Sequence, residues 1–243
     1  MLVKFLGTAP GMPQLNQRHS SILLQGDNLT ILFDCGEGVS QAFLKERINV
    51  DDVDVIFISH THPDHLAGIY MLLQHFYLQK RTKGLDIYLP ECLDIFESSL
   101  DYMYIFKDTL GFPINLMYCE QIGDNHNEIA IFVTNHLERY TDFVKKNQVP
   151  NKMYSFGISI VENGKKLTYT SDITNIAEVW DYLQKSDYLI VDALHPEEDE
   201  MLDLDNVIKE KVYLTHGITQ KLTFLVENNP KYKIAKDGDS FSF

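Results

Sequence analysis

The 243-residue chain reads as an α/β protein of layered sheets with helices on the outside. Three observations predict this. Short apolar runs of strand character dominate the beginning and then interleave with helical patterns. No repeat, low-complexity tract or Gly/Ser linker interrupts the chain, so residues 1–243 are expected to form a single domain. Several apolar runs also end on a residue type that binds metals, the position where rigid strands hold the loop residues of a site.

Taken in order, the runs 2–6, 20–24 and 29–33 are strands, the last two joined by a turn at Gly26-Asp27-Asn28. A helix over 37–47 precedes a strand over 54–58. Leu66, Ile69, Tyr70, Leu73, Phe76 and Tyr77 recur at helical spacing, so a helix starts near Asp64. Pro63 suits its first turn, where a missing N–H costs little. A strand over 85–89 and a helix over 93–106 follow. Strands come next at 130–134, 156–161 and 166–170, then a helix at 175–184. The strands 188–192 and 212–215, with a helix over 218–226, lead to the end. There 233–235 and 240–243 are expected to close the sheet around Asp237-Gly238.

Charge narrows the function. The 21 Lys and Arg are outnumbered by 35 Asp and Glu, a formal net charge of −14. Proteins that grip long nucleic acids need positive charge along the phosphate track, so this balance argues against that class unless a local basic patch overrides it. Cys35, Cys92 and Cys119 are far apart with no CxxC spacing, which argues against a disulfide framework or a thiolate zinc site. The start, MLVKFLGTAPG, is too short for the apolar region of a signal peptide, and no apolar stretch approaches the ~18 residues of a membrane span. The expectation is a cytoplasmic protein without a membrane segment.

The sharpest signal is Ser59-His60-Thr61-His62-Pro63-Asp64-His65, directly after the strand DVIFIS. His60 and His62, two residues apart in extended chain, point the same way, and Asp64 and His65 come from the first helical turn. Imidazole and carboxylate suit Zn²⁺, Mn²⁺ or Fe. Other strand ends add donors of the same types: LTILF runs into Asp34, IAIFVTN into His136, KLTYTS into Asp172 and KVYLT into His216. Singly, Asp34 and Asp172 could be turn caps and His136 and His216 loop residues. Beside the histidine cluster, those readings are hard to sustain.

FDCGEG, SHTHPDHLAG, TNH, YTSD and LTHG, in that order, resemble the five motifs of the metallo-β-lactamase superfamily. The resemblance runs from Leu6 to about Gly238. It implies a four-layer αβ/βα sandwich and two divalent metal ions, Zn²⁺ foremost, with Mn²⁺ or Fe as alternatives. Carried over by position, His60, His62 and His136 would hold one ion, and Asp64, His65 and His216 the other. Asp172 would bridge them, Asp34 would brace the ligand loop from outside, and Asp64 would also orient the attacking water. LGTAPGMP, RHSSILL, LFDCGEGVSQ and IAKDG are most similar to the ribonuclease Z branch and its phosphodiesterase relatives.

Two features depart from ribonuclease Z. Only 35 residues separate His136 from Asp172, too few for the protruding arm which that family commonly uses to grip tRNA. What remains is a loop over 137–154 with Arg139, Lys145, Lys146 and Lys152, either a phosphate-contacting patch or a solvated loop. The stretch Asp192-Ala193-Leu194-His195-Pro196 is closer to small-molecule phosphodiesterases. His195 is then either a catalytic charge stabiliser or general acid, or a surface histidine ahead of an acidic run. The expected activity is hydrolysis of a phosphodiester, on nucleotides or another small diester. The alternatives are processing of RNA 3′ ends as in ribonuclease Z, a thioester hydrolase of the glyoxalase II type, and a non-catalytic metal-binding scaffold. Relatives are often homodimers, so self-association is compatible with the resemblance.

Overall fold

The computed structural model describes residues 1–243. Strands are β1 (Leu2–Gly7), β2 (Ser21–Gln25), β3 (Thr30–Phe33), β4 (Val55–Phe57), β5 (Leu85–Leu89), β6 (Ile114–Tyr118), β7 (Ile129–Val133), β8 (Phe156–Glu162), β9 (Lys165–Tyr169), β10 (Tyr188–Asp192), β11 (Lys211–Thr215), β12 (Tyr232–Ile234) and β13 (Ser240–Ser242). Helices are α1 (Val39–Lys45), α2 (Pro63–Leu66), α3 (Ile69–Leu78), α4 (Leu93–Tyr102), α5 (Ile122–Asn125), α6 (Thr141–Asn147), α7 (Trp180–Leu183), α8 (Glu198–Asp203) and α9 (Gln220–Asn228).

The chain divides into two compact units, Met1–Cys119 with Asp237–Phe243, and Glu120–Lys236. The first holds a seven-stranded mixed sheet of order β13-β1-β2-β3-β4-β5-β6. Its pairs are antiparallel as far as β3 and parallel from β3 to β6. Leu23, Leu32, Ile56 and Ile87 point from the sheet into a core completed by Phe43 of α1, Leu73 and Phe76 of α3 and Phe96 of α4. Burying a Leu, Ile or Phe side chain stabilises by about 1.5–3 kcal/mol, so this layer dominates the unit's stability. The second unit holds a six-stranded sheet, β12-β11-β10-β9-β8-β7, parallel from β12 to β9 and antiparallel from β9 to β7. Leu189, Val191, Val212 and Leu214 pack with Leu183, Met201 and Leu222 of α7, α8 and α9.

Most expected strands are present within a residue or two, and the departures have local causes. The helix expected from Asp64 onward is broken into α2 and α3, because the Gly68 N–H leaves the helical ladder to bond the Cys35 carbonyl at 2.8 Å. A Cβ at Gly68 would stand 2.0 Å from the Gly36 oxygen, so only glycine allows that approach. The helix expected over 93–106 stops at Tyr102, after which Tyr104 takes a left-handed φ of 60°. The helix expected over 175–184 shrinks to a 3-10 turn, Ala177–Val179, and the single turn of α7. β6, α5, α6 and α8 were not foreseen from the sequence. α8 carries a capping box between Glu197 and Glu200, so the acidic run is a helix start as well as a solvated surface. The two terminal strands do not pair with each other: β12 joins β11, and β13 joins β1.

Candidate functional site

In the first unit the donors gather where β3 and β4 end, at the point where the sheet changes from antiparallel to parallel pairing. Open α/β sheets favour ligands at such strand ends. Asp34 follows β3 with a left-handed φ of 55°, a conformation that costs a non-glycine residue about 1 kcal/mol and is concentrated at functional positions. Its buried carboxylate accepts the Ser59 N–H at 2.8 Å through one oxygen and meets His65 Nδ1 at 2.8 Å through the other. That contact turns His65 Nε2 toward Asp64, whose Oδ2 is 3.5 Å away. Ser59 Oγ lies 3.1 Å from His60 Nδ1. The opposite nitrogen of that ring, His60 Nε2, lies 3.1 Å from His62 Nδ1. His62 is the extended N-cap of α2, and Pro63 opens the helix that presents Asp64 and His65.

In the second unit the donors come from four strand exits. His136 follows β7, Asp172 follows β9, His195 follows β10 and His216 follows β11. They converge on one atom. Asp172 Oδ2 is 3.1 Å from His216 Nε2, 3.5 Å from His136 Nε2 and 3.9 Å from His195 Nδ1. Thr134 Oγ1 donates to the Asp172 backbone carbonyl at 3.1 Å and lies 2.7 Å from Ser155 Oγ, which ties the β7 and β9 exits together. Ser171 and His216 have left-handed φ of 51° and 67°, so backbone strain again marks the strand exits. His195 sits between the other two rings, 4.8 Å from His136 and 5.5 Å from His216 between ring centroids.

Asp192 is the residue that sequence reasoning left without a role. It is buried at the end of β10 and accepts the Leu194 N–H at 2.9 Å and the Ile173 N–H at 3.2 Å. Its Oδ2 meets His195 Nδ1 at 2.7 Å. The Asp192 hydrogen bond raises the His195 pKa above its ordinary value against the opposing effect of burial. Asp192 and Asp172 add to the rise by charge, and the Arg139 guanidinium works against it. The signal was available: a carboxylate at a strand end with a histidine three residues on.

The donor chemistry fits a divalent cation. Two imidazole nitrogens 3.1 Å apart, as in His60 and His62, are close to the ~3.3 Å that two histidines on one tetrahedral zinc ion would show. The ligand atoms of Asp172, Asp192 and His195 lie within 4.8 Å of one another. Each unit also holds a ring nitrogen against a buried outer carboxylate, Asp34 on His65 and Asp192 on His195, the arrangement that fixes ligand orientation at metal sites.

Comparison with known proteins follows the same line. Ribonuclease Z from Methanococcus maripaludis strain C6 is 35% identical over 157 residues, 64% of this chain and 48% of that protein. The chain thus spans about half the length of this relative. The crystal structure of the short form of human tRNase Z has a TM-score of 0.71 at 22% identity, covering 100% of this chain and 99% of that one. The metallo-β-lactamase fold protein YhfI from Bacillus subtilis reaches 0.73 at 18% identity, covering 99% and 98%. The fold is therefore the metallo-β-lactamase fold, as the five motifs imply. The family profile described as anti-Pycsar protein Apyc1 matches residues 1–241, and the chain belongs to that family.

Proposed function

We propose that the chain is a metal-dependent phosphodiesterase of nucleotides or another small phosphodiester, and that its two units work as one domain. The observation that carries this reading is Asp172 Oδ2, approached by His216, His136 and His195 within 3.9 Å. A carboxylate oxygen ringed by imidazoles suits a ligand shared by two ions. In the proposed assignment His60, His62 and His136 would hold one ion, Asp64, His65 and His216 the second, and Asp172 would reach both. Zn²⁺ is the first choice, and Mn²⁺ and Fe suit the same donors. Bound ions of this kind supply a water of lowered pKa and neutralise charge on the phosphoryl oxygens.

The chain's own residues supply the rest. Asp64 orients the attacking water and accepts its proton. Asp192 holds His195 Nδ1, which leaves Nε2 as the end of the ring that donates to or stabilises the leaving oxygen. Asp34 and Ser59 fix the His65 and His60 rings, so the donors are pre-arranged. The family description extends to this chain as the proposal that it too acts as an anti-Pycsar protein. No helix is long and apolar enough to cross a membrane. We place the protein in the cytoplasm and allow a homodimer as its assembly.

A second reading, cleavage of RNA 3′ ends, is favoured by the 35% identity to a protein named ribonuclease Z. Metal-reconstituted turnover on bis(p-nitrophenyl) phosphate and on a precursor tRNA with a 3′ extension separates the two. Cleavage of the small diester alone, abolished in His62→Ala, is the expected result. Trimming of the tRNA would replace the first reading with the second, and silence on both with metal bound would defeat each.

A further inference from the structure

His136 is the outlier among the donors of the second unit. Asp172, His195 and His216 leave β9, β10 and β11, which are neighbours joined by parallel ladders. Backbone pairing therefore sets their spacing. His136 leaves β7, and β8 lies between β7 and β9. Neighbouring strands are ~4.8 Å apart, so two such steps put the β7 and β9 exits roughly 10 Å apart with no ladder between them. Yet His136 Nε2 stands 3.5 Å from Asp172 Oδ2. Side chains must set that spacing, and a misplacement of ~1 Å in a site can cost about 100-fold in rate.

Thr134 supplies one tie on the buried side, through its bond to the Asp172 carbonyl at 3.1 Å. A second tie runs on the solvent side, where Asn135 uses both ends of its amide. Its Oδ1 accepts the Thr174 N–H at 3.3 Å, and its Nδ2 donates to Glu178 Oε1. The same Glu178 oxygen accepts from Asn175 Nδ2 at 2.7 Å, and Asn175 Oδ1 accepts the Glu178 N–H at 3.0 Å. The Asn175–Glu178 pair would cap the 3-10 turn Ala177–Val179 without help from Asn135. The bonds of Asn135 are different in kind. They cross 39 and 43 residues of sequence and join the residue before His136 to the segment just after Asp172. Bonds to an ionised carboxylate are the stronger sort. Glu178 is nevertheless exposed, so water competes for it and its share of global stability is small. What the tie can do is hold one loop against the other.

We infer that Glu178 is a positioning residue: through Asn135 and Asn175 it fixes His136 relative to Asp172. This deepens the proposed function and rests on its metal assignment, in which those two residues share an ion. One carboxylate oxygen on the outside of the molecule thereby replaces the ladder that β7 and β9 lack.

The test titrates the metal-free full chain with Co²⁺, whose visible absorption reports the geometry of its ligands. Asn135→Ala and Glu178→Ala are each expected to weaken Co²⁺ binding about tenfold, the low end for loss of an outer partner, and to alter the absorption band. The thermal midpoint of the metal-free chain is expected to stay at the wild-type value. Glu178→Gln keeps an acceptor oxygen for both amides and is expected to restore most of the affinity. Unchanged affinity and absorption in Asn135→Ala and Glu178→Ala overturn the inference and leave the metal-dependent reading standing. A lowered thermal midpoint with unchanged affinity also overturns it, by assigning the tie to folding alone. So does a loss of affinity that Glu178→Gln shares in full. Failure of the wild type to bind Co²⁺ defeats the metal assignment and the inference together.

Discussion

In the first unit the donor residues come from one stretch of six, His60 to His65, with Asp34 behind them. In the second unit they come from the exits of four strands between His136 and His216. The first cluster is held by local chain geometry, an extended pair of histidines running into the opening turn of α2. The second is held by sheet register. Asp192 is aligned with Thr215 in the parallel pair β10–β11, which puts His216 one residue past the carboxylate that holds His195. A slip of one residue there would turn every β11 side chain to the opposite face and remove His216 from Asp172. The same donor chemistry can thus be encoded by adjacency or by register, and the two encodings fail differently under mutation.

The largest expected effect is at the point where the register-built cluster converges. Asp172→Ala should lose more metal affinity and turnover than the roughly 10–100-fold cost of removing an outer partner, while keeping the circular dichroism of the wild type. Metal content after dialysis measures the loss. Retained metal would break the comparison by showing that Asp172 does not organise the cluster, and an unfolded variant would show that the fold depends on the site.

Next is the scaffold under the local cluster. Arg81 is almost wholly buried, and its guanidinium donates to the carbonyls of Val50, Val53 and Gly84 around the start of β4. Arg81→Ala leaves those carbonyls without their donor. It should cost at least about 3 kcal/mol in urea unfolding, with metal binding intact in the folded fraction. An unchanged urea midpoint would show that β4 does not need this support.

Asp34→Asn should weaken metal affinity by about 10–100-fold without a comparable loss of stability. An asparagine can accept from Ser59 or His65, but its amide then faces a donor. Titration of the apo protein with Zn²⁺ checks this. No loss would mean that adjacency alone orients His65.

The smallest effect concerns Asp187, which precedes β10. Burial opposes its ionisation, but the Lys166 N–H at 2.7 Å and the Lys209 ammonium at 3.2 Å outweigh it and lower its pKa. A lowered folded pKa means that the stabilisation is present above the unfolded value near ~3.9 and is lost as pH falls through the folded one. The Tm of the wild type should therefore drop more steeply than that of Asp187→Asn below about pH 4. Parallel curves would show that this carboxylate does not support the β10 register.

How much could be read without coordinates follows the same division. The strands were legible because alternate residues on both sides of each are apolar, as in Ile22 to Leu24 and Ile31 to Phe33, all buried. β6 was not, because Asn115 and Tyr118 interrupt its apolar pattern. Its identity rests on five residues paired in register with β5. The break between α2 and α3 was also invisible, since the hydrophobic period continues across Gly68 and the competing hydrogen bond comes from Cys35, far back in sequence.

By itself the sequence determined the fold family, the donor types and the cluster from His60 to His65, because those depend on composition, period and adjacency. Tertiary structure alone decided that His136, His195 and His216 surround one oxygen of Asp172, and that Asp192 holds His195. It also decided that 137–154 carries an exposed helix in place of a plain loop. The reason is physical. Neighbours along a chain are constrained by bond geometry, whereas neighbours across a sheet are set by the pairing of whole strands, which no short segment encodes.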